Sequence, residues 1–163
     1  DGTFWATSVA YDLIMNCESG LSALLADELW SLVGATANPQ AAGFILEMVK
    51  TIRGLGGIAV TSTQGMQDLF GLEGGSYGKG ILDASRIKLV MQMEEQEARL
   101  IQDKLNLSED EVRQITRFRR GEGLLCIGYN HVPVAFYTTP KEYEAITTSP
   151  TDLRRGRQGD SDE

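Results

Sequence analysis

The sequence predicts an α/β fold, and three features carry that prediction. Two short apolar runs, Leu21 to Ala26 and Ile58 to Thr63, flank a stretch of helical periodicity, the pattern of a strand, helix, strand crossover. Later, two strand-like runs surround a glycine-led turn, as in a hairpin. The chain has 163 residues, 42% apolar and 23% charged, which suits one domain with a sizeable core. No apolar run approaches the roughly 18 residues that a membrane helix needs.

Taken in order, Ala6, Val9, Ala10, Leu13, Ile14 and Cys17 fall at helical spacing and predict an amphipathic helix from about Thr3 to Cys17. Leu21 to Ala26 then reads as a buried strand of a parallel sheet that runs into Asp27 and Glu28. After a loop at Gly34, Asn38 and Pro39 supply an N-cap and a first-turn proline. Ala41, Phe44, Ile45, Met48, Val49 and Ile52 form the buried stripe of the helix that follows, and Gly54, Gly56 and Gly57 stop it. Ile58 to Thr63 is β-branched and bounded by glycine, hence a second buried strand, with Gln64 just beyond it.

Gly71 to Gly80 is glycine-dense and predicts a flexible surface loop; Ile87 to Met93 predicts a third strand. Glu94 to Leu105 is a helix. The next helix opens with a capping box at Ser108 to Glu111, with Leu107 and Val112 able to staple across the turn. Gly123 to Ile127 and Val132 to Thr138 predict strands around Gly128 to His131, and Pro133 marks the second as an exposed edge. Parallel and antiparallel strands together predict a mixed sheet. Thr151 to Glu163 has almost no apolar content and predicts a solvated tail.

The net charge of −8 argues against a whole-surface binder of phosphate backbones, although a local stripe of Arg117, Arg119 and Arg120 leaves nucleic-acid contact open. Cys17 and Cys126 are far apart in apolar contexts, which suits buried free thiols in a reducing compartment. The first residues carry neither a basic nor an apolar leader region, so the expected location is the cytoplasm.

Chemistry concentrates at the ends of the two predicted parallel strands. Asp27 and Glu28 follow an apolar strand at the edge where open α/β sheets bind ligands, the layout of a Walker B element. There an Asp can hold Mg²⁺ and a following Glu can activate the attacking water; the alternative is two solvated acids that cap a strand. Gln64 ends the neighbouring strand, where an amide could contact a terminal phosphate, or could simply be polar in a turn. Arg53 in the last turn of its helix, and Arg119 with Arg120 at the end of the capped helix, are either complements to the helix dipole or arginine fingers.

Gly74 to Gly80 is not a Walker A loop, because Glu73 stands where glycine is needed and Gly80 where a hydroxyl is needed. The single histidine, His131, leaves no Cys/His cluster for zinc and no partner for Ser62 or Cys126 as nucleophiles.

The order of LLADELW (Leu24 to Trp30), TIRGLGGIAVTSTQGMQDLF (Thr51 to Phe70), LSEDEVRQI (Leu107 to Ile115) and the run from Arg119 to Pro150 resembles the C-terminal ATPase domain of conjugative type IV secretion ATPases. These are RecA-like hexameric motors. The resemblance covers nearly the whole chain apart from the tail. It implies the C-terminal portion of a RecA-like P-loop NTPase core over residues 1–150, with a mixed sheet, flanking helices and a C-terminal β-hairpin.

It further implies Asp27 and Glu28 as Walker B, with Asp27 toward the metal and Glu28 catalytic. Gln64 would be the phosphate-sensing glutamine, Arg53 a finger acting in trans, and Arg120 the arginine of the final motif, beside the nucleotide. Gly54 departs from the family pattern, in which a second basic residue often follows the position of Arg53.

The implied cofactors are ATP and Mg²⁺. The implied partners are other copies of the chain in a hexamer, other type IV secretion subunits and the coupling protein, with peripheral association at the inner face of the cell membrane. The family's Walker A elements precede this stretch, so the expectation is part of a longer motor, with no appreciable ATPase activity in these residues alone. Two other readings remain: a noncatalytic interaction domain whose hairpin docks onto partner subunits, and a DNA-translocating ATPase of the related coupling type.

Overall fold

The computed structural model describes residues 22–34 and 36–146. The predicted helix at Thr3 to Cys17, Cys17 itself and the tail at Thr151 to Glu163 lie outside the described residues. β1 (Ala23–Ala26) and β2 (Ile58–Thr61) pair in parallel, with Ala23 opposite Ile58 and Ala26 opposite Thr61. Between them come a one-turn helix α1 (Trp30–Val33), absent from the sequence reading, and the long helix α2 (Pro39–Thr51). Asn38 caps α2 by accepting the Gln40 N–H on its side chain, and Pro39 occupies the first turn, where its missing N–H costs nothing.

The chain leaves α2 through a 3₁₀ turn, Ile52–Leu55, and Gly56 takes a left-handed conformation to enter β2. Arg53 therefore sits in that 3₁₀ turn rather than in the last turn of the helix.

The glycine-dense stretch is not a loop. After α3 (Met66–Leu69) and a short 3₁₀ turn at Leu72–Gly75, helix α4 runs over Ser76–Ala84. Its glycines serve close packing: a Cβ on Gly78 would lie 2.3 Å from the Leu69 carbonyl oxygen, and one on Gly80 would lie 2.8 Å from the Leu46 side chain. Glycine density marked helices in close approach, whereas composition alone suggested flexibility.

β3 (Ile87–Met91) is followed by α5 (Glu95–Leu105) and α6 (Glu109–Ile115). The predicted capping box is present: the Ser108 hydroxyl accepts the Glu111 N–H, and Glu111 accepts the Ser108 N–H at 2.7 Å. Leu107 and Val112 are both buried, as a staple requires. α6 stops at Ile115, so Arg119 and Arg120 lie in the turn before β4 and not at the end of the helix.

β4 (Glu122–Ile127) and β5 (Asn130–Ala135) form an antiparallel hairpin across the two-residue turn Gly128–Tyr129. The turn is tighter than the four residues expected, and β5 ends earlier. Pro133 lies on the edge strand, where the missing N–H breaks no ladder. A last helix, α7, spans Pro140–Ile146.

The described strands form two sheets rather than one mixed sheet: parallel β1-β2 and antiparallel β3-β4-β5. Two apolar clusters back them. One gathers Val90, Leu124 and Cys126 under α5 and α6; the other gathers Ala26, Leu29, Val33, Ile45 and Met48 around α1 and α2. Met66 and Phe70 pack against both and join them.

The parallel strands are not buried on both faces. Leu25 is 76% exposed, and Ile58 and Val60 are also exposed on the face away from the helices. The antiparallel sheet likewise exposes Ile87, Leu89, Met91, Ile127 and Val132. Among the described residues the helices thus cover one face of each sheet, and no helix is long and apolar enough to cross a membrane.

Candidate functional site

Beyond β1 and β2 the parallel ladder continues for two further bonds: the Ser62 N–H donates to the Ala26 carbonyl and the Leu29 N–H to the Ser62 carbonyl, both at 2.8 Å. Asp27 and Glu28 are therefore wrapped around Ser62. The wrap requires a sharp reversal, and Glu28 makes it at φ 51, a left-handed conformation that costs an L-residue roughly 1–2 kcal/mol. In exchange its carbonyl accepts the Ser31 N–H and hydroxyl, at 2.9 and 2.8 Å, and starts α1.

Five side chains converge on this rim. The Asp27 carboxylate accepts the Ser62 hydroxyl and the Glu28 N–H on the same oxygen, Oδ1. Those two bonds, the Ser62 hydroxyl foremost, hold the Asp27 carboxyl below its ordinary pKa and keep it charged. Glu28 Oε1 accepts the Gln64 amide N–H at 2.6 Å, and Glu28 Oε2 accepts the Trp30 indole N–H at 2.6 Å. Asp27 and Gln64 are exposed and Glu28 half-buried, so the rim faces outward. Two concavities of about 520 and 510 Å³ lie elsewhere, between α6 and β5 and beside the hairpin turn.

Asp27, Glu28 and Gln64, singled out from sequence, thus come together at the carboxyl ends of neighbouring parallel strands. Arg53 does not join them: it precedes the amino end of β2, and Gln64 follows its carboxyl end. Arg120 precedes β4, whose Gly123 pairs with Met91 at the carboxyl end of β3. Among the described residues neither arginine bonds to the acids or to Gln64, and both are exposed.

Ser62 and Trp30 were missed as members of the rim. Sequence reasoning considers Ser62 only as a nucleophile, although its place directly after β2, level with Asp27, is a readable signal. Trp30 stands two residues from Glu28, a spacing that mattered only because the backbone reverses there.

No group of three or more His, Cys, Asp or Glu residues able to hold a metal occurs among the described residues. A self-sufficient metal cage is therefore not formed by them. The donor set, one charged Asp with a free second oxygen beside a serine hydroxyl, fits Mg²⁺ of the kind held mainly by phosphate oxygens and water.

No protein-family model and no curated protein matches the chain. Among solved structures it is similar to VirB4 of Thermoanaerobacter pseudethanolicus, at 29% identity and a TM-score of 0.77 over 86% of this chain. It is also similar in fold to the genome packaging NTPase B204 of Sulfolobus turreted icosahedral virus 2. In complex with AMPPCP that protein matches at 12% identity and a TM-score of 0.63 over 85% of this chain, and in complex with AMP at 13% and 0.60 over 82%. The chain spans 37% of the VirB4 chain and 63% and 62% of the two B204 chains. The resemblance to type IV secretion ATPases expected from the motifs is met by VirB4. The described residues form an α/β fold with one parallel and one antiparallel sheet, and the likeness to VirB4 and to the packaging NTPase is a likeness of fold.

Proposed function

We propose that this chain supplies the Walker B and phosphate-sensing part of an ATPase that couples ATP hydrolysis to assembly of, or transport through, a conjugative secretion channel. The observation that carries the reading is the pair of side-chain bonds, Asp27 to Ser62 and Glu28 to Gln64, which holds both acids and the glutamine on one rim.

In this reading the charged Asp27 would hold Mg²⁺ accompanying ATP through its free oxygen. Mg²⁺ supplies neutralisation of phosphate charge. Gln64 offers an amide donor to the terminal phosphate and an acceptor to the attacking water, and Glu28 Oε1 takes the proton of that water. Arg53, at the far end of β2 from its own acids, suits a finger that reaches a neighbouring copy in a ring. Arg120 suits a contact to phosphate on the side of β3 and β4.

None of the 163 residues forms a GxxxxGK[ST] loop, so this chain by itself is proposed to bind nucleotide weakly and to hydrolyse none appreciably. The proposed partners are further copies of the chain, other secretion subunits and the coupling protein, at the cytoplasmic face of the membrane. The exposed Arg117, Arg119 and Arg120 are the place to look for nucleic acid.

The bare apolar sheet faces favour one second reading, a noncatalytic docking domain. Glu28→Gln in the complete protein separates the two. The ATPase reading expects ATP binding within about threefold of the parent and turnover lower by roughly 10²–10⁴-fold. The docking reading expects turnover unchanged.

A further inference from the structure

We infer that Trp30 is a positioning residue for Glu28: its indole N–H anchors one carboxylate oxygen permanently, while Gln64 guards the other until a terminal phosphate draws the amide away. The inference rests on the reading of Glu28 as the base that activates water.

The geometry distributes the two oxygens between two donors of different kinds. Oε2 is bonded to Trp30, on the same local segment and two residues away; Oε1 is bonded to Gln64, across the sheet and 36 residues away, both at 2.6 Å. An indole N–H is a donor only, and Trp30 is half-buried on the same short segment as its acceptor, so this bond does not depend on residues across the sheet. Trp30 is itself built into the start of α1, where its carbonyl accepts the Gly34 N–H at 2.6 Å. That donor therefore has no reason to leave when nucleotide arrives.

Gln64 differs. It is exposed, it sits beyond the end of β2, and its amide is the group that the proposed function assigns to the phosphate. A phosphate oxygen carries more charge than a carboxylate oxygen already shared with Trp30, so it competes for the same amide. Release of Gln64 then frees Oε1 toward water while Oε2 stays pinned. Glu28 makes both bonds from a left-handed backbone conformation. A base held in this way is oriented before reaction and is uncovered only when the phosphate it serves is present.

The chain holds two tryptophans, Trp5 and Trp30, so a Trp5→Phe background leaves one indole N–H signal in a proton–nitrogen spectrum. That signal is expected downfield and protected from exchange. Glu28→Ala should move it upfield with roughly tenfold loss of protection, the size expected for a charge-assisted bond.

In the complete ATPase, Trp30→Phe should lower kcat roughly ten- to a hundredfold with KM for ATP unchanged, and Trp30→His, which keeps an N–H donor, should recover part of the loss. An indole signal indifferent to Glu28→Ala overturns the inference. So does an unchanged kcat in Trp30→Phe where Glu28→Gln abolishes turnover, and in that case the reading of Glu28 as base survives. Full turnover in Glu28→Gln would sink that reading and the inference with it, even if the indole bond were found. A general loss of folding in Trp30→Phe is distinguished by lost ATP affinity, and Trp30→His then decides.

Discussion

Asp27 accepts two hydrogen bonds on a single oxygen while fully exposed, so its depressed pKa comes from local donors, the Ser62 hydroxyl foremost and the Glu28 N–H next. The folded carboxyl binds its proton less readily than the unfolded one. The linked stabilisation is therefore complete above the unfolded pKa and is lost as pH falls through the lower, folded value. Ser62→Ala should raise the titration midpoint of the Asp27 carboxyl toward its ordinary value, followed by its carbonyl carbon shift; an unmoved midpoint would remove Ser62 from the rim. The acids and Gln64 were legible in sequence because residue type and position at a strand end were enough to nominate them. Their donors were not. Ser62 and Trp30 became visible only once the reversal at Glu28 had set the directions of the side chains.

Among the elements, α2, α5 and α6 were readable because periodicity and capping residues agreed, as at Asn38 and at Ser108 with Glu111. Sequence alone does not reveal α4 because glycine has two uses, and only the nearness of Leu69 and Leu46 shows which one applies. Two glycine substitutions separate those uses. Gly78→Ala should destabilise the fold by about 2 kcal/mol or more, since its Cβ meets backbone atoms of Leu69 that cannot move aside. Gly43→Ala, inside α2 with nothing within 4 Å of its Cβ, should stabilise by about 0.5–1 kcal/mol. Denaturant unfolding of both variants checks the pair, and equal effects would contradict the packing account.

At the scale of the whole molecule, the parallel pairing of β1 and β2 followed from the crossover pattern, whereas the two separate sheets and their bare faces did not. A run such as Leu24 to Ala26 reads as buried on both sides, because hydropathy records what a strand is suited to pack against and not what covers it in this chain. Those faces expose Leu25, Ile58, Ile87, Ile127 and Val132, so the chain should self-associate with concentration and bind an apolar dye. Replacing Ile87, Ile127 and Val132 by serine should weaken both effects in sedimentation and fluorescence measurements; undiminished association would place the contact elsewhere. The central claim is that Asp27, Glu28 and Gln64 serve one triphosphate. It is tested most directly by a structure of the complete ATPase with a nonhydrolysable ATP analogue. The account predicts the Gln64 amide at hydrogen-bond distance from the terminal phosphate and Glu28 Oε1 on a water beside it, with Trp30 still holding Oε2. Phosphates bound at a different edge of the fold, out of reach of all three residues, would contradict it.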